Sequence, residues 1–513
     1  MFSKVFSGAL KGIDGSLVQV EADVGNGLPG FQLVGYLASE VKEAQDRVRT
    51  AVKNSGFRLP AMKVTVNISP ANIRKQGTAF DLPIAIAVLA SYGQIEDTGL
   101  LRDSAFVGEL GLDGSIKPVV GTLSLVTAFR EAGLARCFLP VMNQQEGLAI
   151  EGIDVIPVDR LSEAVHMLNC PEALRPARRG ASGQEEPRAE YAEDYREVNG
   201  QKLLRRATEV AVAGRHNILY IGPAGSGKSM IARRIPTIMP PLSGKERLEV
   251  SKIYSVCGLL PRGKALLSER PFRSPHHTIS PLALTGGGNI PKPGEISLAS
   301  RGVLFLDEFP EFQRRTIEVL RQPLEERNIT ISRANGTCVF PADFMMAAAM
   351  NPCPCGFYPD RSRCSCQESQ IRRYLGKISR PLLDRIDICA EAAPISFQEV
   401  RGEQENESSA EIRRRVEAAW EIQTARFGDT DLCFNSEMGS REIRRYCRLQ
   451  AEEESFLQKV YQKLGLSARG CQRLLKVART IADLDGKEQI GREHLSEAAG
   501  YRGLEEKYWG REA

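Results

Sequence analysis

Residues 217–229 read NILYIGPAGSGKS. A short, wholly apolar run, Ile218–Ile221, gives way to Gly222-Pro223-Ala224-Gly225-Ser226-Gly227-Lys228-Ser229, and a helical segment, Met230–Ile235, is expected next. This is G-x-x-x-x-G-K-[ST] in the strand–loop–helix setting that the signature requires. Glycines let backbone N–H groups close around phosphate oxygens, and the following helix turns its positive end toward them. Lys228 is placed to reach the outer phosphates of a nucleoside triphosphate, and Ser229 to ligate Mg²⁺. A fully apolar strand of this kind suits a parallel sheet covered by helices on both faces. The stretch therefore predicts an α/β nucleotide-binding core.

Two later strands extend that core. Residues 302–308, GVLFLDE, form an apolar run that ends in two carboxylates. Asp307 would join the Mg²⁺ shell, and Glu308 would polarise the attacking water. A third run, Phe344–Met350, ends in Asn351, whose amide could orient that water against the terminal phosphate. Asn before Pro352 is otherwise a turn former.

The chain has 513 residues, which at ~150 per domain implies about three domains. With 42% apolar and 26% charged residues it is not disordered throughout. The 68 basic residues nearly balance the 64 acidic ones, so nucleic-acid binding cannot be read from bulk charge and any basic surface must be local. The longest apolar run, Leu82–Ala90, falls short of the ~18 residues of a membrane span. No secretory signal is evident in MFSKVFSGALKG. The twelve cysteines are therefore expected as mostly reduced thiols in a cytoplasmic protein.

Residues 1–170 read as one α/β domain, with strands at Leu17–Ala22 and Met62–Ile68 and a helix over Ser39–Ser55 between them. Residues 171–195, rich in Pro, Gly, Arg and Glu, read as a linker. The nucleotide core occupies 196–395, and 396–513 is mostly helical after a polar break at 402–409.

The order of these motifs resembles the AAA+ ATPases. The strings RPFRSPHHTISPLALTGGG (270–288), PKPGEISLASRGVLFLDEFPEF (291–312) and AAAMNPCPCG (347–356) resemble the magnesium-chelatase-like branch and its ComM/YifB subfamily. The resemblance implies ATP and Mg²⁺ as cofactors, an AAA+ core on a parallel sheet, and a C-terminal helical lid. It makes Pro381-Leu-Leu-Asp-Arg385-Ile-Asp387 the segment that supplies an arginine finger to a neighbouring subunit, with Arg380 as a competitor. A guanidinium there would stabilise charge developing on the γ-phosphate. The resemblance also places a second sensor arginine at the start of the lid helix beginning near Ser467. Arg469 is the choice, and Arg473 lies one turn away. On that helix Cys471, Leu474, Leu475, Ala478 and Ile481 share a face, with Arg469, Arg473 and Lys476 opposite. Val198, Gly200 and Gln201 resemble the segment that packs the adenine ring. A finger acting in trans implies a homo-oligomeric ring, by analogy a hexamer.

Residues 328–340 carry two β-rich runs flanking Asn-Gly, a hairpin signal. By analogy with related ring helicases the hairpin enters a central pore, where Arg333 could touch a phosphate. The insertion 273–288, with Arg273, His276, His277 and Gly286-Gly287-Gly288, is a second candidate. Both could instead be ordinary packing.

Residues 66–83 and 108–121 resemble the Lon proteolytic domain, which implies a ribosomal-S5-domain-2-like fold. Lon chemistry needs a Ser–Lys dyad. Here the serine position falls on Ala79, beside Thr78, and the lysine position near Leu125, so the expectation is a protease fold without protease activity.

Cys353, Cys355, Cys364 and Cys366 form Cys-x-Cys, eight residues, Cys-x-Cys. The spacing is compact enough for one tetrahedral Zn²⁺, and free thiols or a redox pair are the alternatives. Together with these motifs, the subfamily resemblance implies an ATP-driven ring acting on single-stranded or branched DNA, a helicase or branch-migration factor in natural transformation or recombination. The rivals are a protein-remodelling or metal-chelatase-type ATPase and, more remotely, an ATP-dependent protease. No membrane partner is expected.

Overall fold

The computed structural model describes residues 1–96, 99–178, 191–261, 263–288, 291–333, 336–393, 406–428, 430 and 432–510. Most of the expected linker (179–190), residues 402–405 of the polar break, and Ala334 and Asn335 at the hairpin tip lie outside the described residues.

The N-terminal strands are β1 (Phe2–Lys11), β2 (Asp14–Gly25), β3 (Gly30–Val34), β4 (Lys63–Ser69), β5 (Ser104–Phe106), β6 (Arg136–Pro140) and β7 (Asp154–Val158). They form one sheet in the order β3-β4-β2-β1-β5-β6-β7. The expected strand Leu17–Ala22 lies inside β2, and Met62–Ile68 matches β4 offset by one residue. The expected helix is present as Ser39–Lys42 and α1 (Ala44–Asn54), interrupted at Glu43. The apolar run 82–90 is α2 (Asp81–Ser91), buried at every residue, so its hydrophobicity fills a core. No helix among the described residues is long and apolar enough to cross a membrane. Helix α3 (Thr122–Glu131) lies so close to β1 that a Cβ on Gly8 would sit 2.8 Å from Leu125.

The nucleotide core opens with α4 (Lys202–Gly214), β8 (Ile218–Ile221), α5 (Lys228–Arg233) and α6 (Gly244–Cys257). It continues through β9 (Phe272–Arg273), β10 (Val303–Leu306), the hairpin β11 (Asn328–Arg333) and β12 (Gly336–Pro341), β13 (Met345–Met350), α7 (Glu368–Leu375) and β14 (Ile388–Glu391). Five strands form a wholly parallel sheet in the order β9-β10-β13-β8-β14. Because β13 lies between β10 and β8, the carboxyl ends of these three strands stand side by side.

The amino ends of the strands are fastened separately. Asn217 donates to the carbonyl of Arg385 at 2.9 Å and accepts from the N–H of Met346 at 2.9 Å, which ties β8 to both neighbours. Nearby, Asp343 faces Arg301 at 2.7 Å, Arg215 at 3.1 Å and Arg327 at 3.9 Å. Burial works to raise its pKa, but the three guanidinium groups outweigh it and hold the carboxyl at about 2.

The lid contributes α8 (Ser409–Phe427), α9 (Ala468–Leu484) and α10 (Arg492–Trp509). Residues of α4, α8 and α9 share one hydrophobic cluster with one face of the sheet, so lid and core are joined by a common interior. The N-terminal domain meets the core at α6, where the N–H of Gly121 donates to the carbonyl of Ser255 at 3.0 Å.

Asp343→Asn leaves three buried or half-buried arginines without their shared anion. It should cost about 3 kcal/mol at neutral pH, measured as a lower urea midpoint. The carboxyl is depressed in the folded state, so its contribution is present above the unfolded pKa of ~4. The gap between wild type and variant should accordingly close as pH falls from about 4 toward 2; a gap constant over that range would refute this account.

Candidate functional site

The phosphate loop leaves the carboxyl end of β8. Gly225 and Gly227 have φ of +76° and +84°, a region in which a side chain is strained. A Cβ on Gly222 would lie 2.6 Å from the Cβ of Ala392, so the loop packs against the chain just beyond β14. Lys228 is buried, and its Nζ donates to the carbonyls of Gly222 at 2.8 Å and Pro223 at 2.7 Å. The Asn351 Oδ1 lies 3.4 Å from the same nitrogen. Burial pushes the ammonium pKa down to about 8, against the pull of Asp307. A buried cation held by neutral oxygens at the head of a helix suits the phosphates of a nucleotide.

Ser229 and Asp307 come from different strand ends and meet: the Ser229 hydroxyl donates to the Asp307 carboxylate at 2.7 Å. The other Asp307 oxygen accepts from the N–H of Glu308 at 2.9 Å. A hydroxyl beside a carboxylate is the donor set expected for Mg²⁺ bound with a nucleotide, so these residues fit that ion. Asn351 directly follows β13, and its backbone is hydrogen-bonded to the Tyr374 hydroxyl.

Glu308 has φ +51°, an unusual conformation for a glutamate and one that the fold must enforce. Its carboxylate is 3.3 Å from His277 Nδ1. The His277 ring lies tilted against His276 with centroids 4.0 Å apart, and it meets Phe312 edge-on. This neighbour of Glu308 was missed from sequence, where thirty residues without a common pattern separate the two.

Val198 is buried, Gly200 has φ +64° and Gln201 has φ +52°. The Gln201 amide is engaged with the backbone of Ala393, donating at 2.6 Å and accepting at 3.2 Å. It therefore braces the segment behind Gly222 rather than presenting a free amide.

Arg385 and Arg469 line a common cleft with Asn217, Asp343 and Asp387. These last three immediately precede or lie near the amino ends of β8, β13 and β14, opposite the phosphate loop. A four-residue strand spans about 13 Å, so neither arginine lies beside the phosphate loop of its own chain. Arg385 pairs with Glu325 and donates to the Arg321 carbonyl at 3.2 Å. Arg380 is exposed at the head of a short helix, Arg380–Leu383. Arg473, one turn from Arg469 on the polar side of the helical wheel, does not face solvent. Arg473 is buried and donates to the carbonyls of Ile386 at 3.1 Å and Leu383 at 3.3 Å, and to Asp384 at 2.9 Å. The segment 383–387 covers this side of α9, which a helical wheel cannot reveal.

Of the residues considered for nucleic-acid contact, Arg273 is held by Glu295 through two bonds of 2.6 and 2.8 Å, and His277 faces Glu308. Arg333 and His276 are exposed. The hairpin β11–β12 and the 273–288 insertion adjoin: a Cβ on Gly287 would lie 3.6 Å from the Arg333 guanidinium. The sulfurs of Cys353, Cys355, Cys364 and Cys366 lie within 4.8 Å of one another. In the N-terminal domain, Thr78 bonds Glu109 and Leu125 is buried against β1, so the Lon dyad position is apolar.

Residues 194–400 match the family described as magnesium chelatase, subunit ChlI; residues 20–143 match subunit ChlI of Mg-chelatase, and 406–502 its C-terminal part. The chain is 42% identical over 510 residues to the competence protein ComM of Haemophilus influenzae, covering 98% of this chain and 97% of that one. It is 42% identical over 509 residues to YifB of Escherichia coli, with the same coverage. Over 159 residues it is 27% identical to a Lon protease of Mycolicibacterium smegmatis, covering 30% of this chain and 19% of that protein.

Above pH ~8 the free protein loses the Lys228 proton, and bound phosphates must restore it. The affinity for MgATP should therefore fall as pH rises beyond 8, approaching about tenfold per unit, with proton uptake seen by calorimetry in buffers of different ionisation enthalpy. Lys228→Ala should abolish saturable binding at every pH.

Proposed function

We propose, from the premise that the chain belongs to the magnesium-chelatase-like AAA+ family of ComM and YifB, that it is a ring motor. In this reading it hydrolyses ATP between adjacent subunits and uses the energy to move along or remodel DNA. The single observation that carries the ring is the separation of charge across the sheet. The phosphate loop, Asp307, Glu308 and Asn351 stand at the carboxyl ends of the strands, and Arg385 and Arg469 share a cleft at the amino ends. A site with its own arginines out of reach is completed by a second copy. By family analogy six copies close the ring.

Bound MgATP supplies the bond to be cleaved and a cation that offsets its charge. Lys228 draws the outer phosphates into the loop. Glu308 accepts a proton from the attacking water, and Asn351 fixes that water's orientation. Arg385 of one copy, with Arg469, stabilises the charge that develops on its neighbour's γ-phosphate, an effect of about 10³–10⁵ in comparable systems. The cofactors are thus ATP and Mg²⁺, with Zn²⁺ in the four-cysteine cluster.

The DNA reading draws on the exposed Arg333 and His276 in two adjoining elements, and on the printed name of the relative as a competence protein. It makes single-stranded or branched DNA the substrate and natural transformation or recombination in the cytoplasm the setting. A protein-remodelling or metal-chelatase-type motor is the alternative.

DNA should raise ATP turnover without a protein partner; a turnover indifferent to forked and four-way DNA would remove the DNA substrate. Arg385→Ala subunits mixed with wild type should depress turnover more than dilution predicts, whereas loss in simple proportion would argue against a shared site. Glu308→Gln should bind MgATP but not turn it over. His277→Ala should alter kcat more than ATP affinity, and equal effects on both would show that the contact is only structural.

A further inference from the structure

The four cysteines stand closer than their sequence spacing alone requires. Cys353 Sγ lies 3.3 Å from Cys355 Sγ and 3.8 Å from Cys364 Sγ, and Cys355 Sγ lies 3.5 Å from Cys364 Sγ. A tetrahedron with Zn–S bonds of ~2.3 Å has sulfur–sulfur edges of about 3.8 Å. A disulfide would bring two sulfurs to ~2.05 Å, and all twelve cysteines are free. A cluster of several irons holds its cysteine sulfurs farther apart than this group allows, so the cavity suits one ion. The backbone N–H of Tyr358 donates to Cys353 Sγ at 3.4 Å, the kind of outer bond that orients a thiolate ligand. Cys353 is fully buried, and the other three are half-buried. Thiolate donors in a compact tetrahedron select Zn²⁺ among common divalent ions.

The position of this knot says what it is for. Only Pro352 separates Cys353 from Asn351. Gly356, inside the knot, has φ +83°, and a Cβ there would lie 3.7 Å from the Ala224 nitrogen and 3.9 Å from the Pro223 Cα. The loop of cysteines therefore backs directly onto the phosphate loop. On its other side the Tyr358 ring meets Tyr508 of α10 with centroids 6.1 Å apart. Helix α10 is in turn fixed by Lys507 and Tyr508 on Glu391, at 2.7 Å each, and by Trp509 on the Leu375 carbonyl at 3.1 Å.

Building on the zinc assigned above, we infer that one Zn²⁺ held by Cys353, Cys355, Cys364 and Cys366 is a positioning device for the nucleotide site. It clamps Asn351 and the Pro223–Ala224 wall of the phosphate loop to the last lid helix. Without the ion, the segment that carries Asn351 loses the metal–thiolate tie between the two Cys-x-Cys pairs. The amide and the phosphate-loop wall then sample more positions than the attacking water and the phosphates tolerate.

The test uses the full chain. Elemental analysis should give about one zinc per chain, and Co²⁺ in its place should show the thiolate-to-cobalt charge-transfer bands of a four-sulfur site. Cys364→Ser with Cys366→Ser should lose the metal, and Cys366→His, which keeps four ligands, should retain it. Removing zinc with a chelator should weaken MgATP binding severalfold and lower turnover about tenfold or more, and added zinc should restore both. The chelation arm stands even if the double serine variant fails to fold. Wild-type protein that holds no zinc, or holds iron instead, overturns the assignment. Zinc-free protein with unchanged ATP affinity and turnover overturns the positioning role. Zinc-loaded protein that binds MgATP but never hydrolyses it overturns the motor reading alone, and the affinity change on zinc removal then decides the positioning role.

Discussion

A buried ammonium group sets the terms for the nucleotide core. Lys228 sits under the phosphate loop with its Nζ on two backbone carbonyls and near one amide oxygen. Burial lowers its pKa to about 8, so the folded state keeps a cation whose solvation is incomplete. Such a group is tolerated because the loop is built around it. Two glycines at positive φ turn the chain, Gly222 is pressed against Ala392, and α5 begins at the lysine itself. A polyanionic ligand relieves the incomplete solvation, and binding energy then comes from electrostatics already paid into the fold.

The parallel sheet gives that arrangement a direction. With β13 between β10 and β8, Ser229, Asp307 and Asn351 converge from three neighbouring strand ends. The opposite ends are dense in arginine, with Asp343 neutralising one group of them and Asp384 and the 383–386 carbonyls engaging Arg473. Arg385 and Arg469 border that same cleft. A parallel sheet thus separates an anion-binding edge from a cation-bearing edge within one chain.

Much of this was legible in the sequence, and the limits have physical causes. The strands Ile218–Ile221 and Val303–Leu306 match the expected residues because a strand buried on both faces is a continuous apolar run between polar ends. The phosphate loop and Asp307–Glu308 were readable because their chemistry depends on residues adjacent in sequence. β1 was missed: its buried stretch includes Ser7, Gly8 and Ala9, small residues selected by the close approach of α3 and carrying no strand signal. The burial of Arg473 and the engagement of Arg273 with Glu295 depend on distant segments, so a helical wheel or a local motif assigns those side chains to solvent. The contact of His277 with Glu308 was hidden for the same reason.

That contact also shows why the 273–288 insertion matters even though Arg273 is occupied. From His277 against Glu308, ten residues of chain lead to Gly287, beside which the Arg333 guanidinium of the hairpin lies. The Glu308 backbone is held in a conformation that a glutamate adopts only under constraint. A constrained residue of this kind has few alternatives, so a small shift in its partner can change its orientation discretely rather than gradually. One insertion thus meets the carboxylate just beyond β10 through His277 and, ten residues later, adjoins the exposed Arg333 of the hairpin at Gly287.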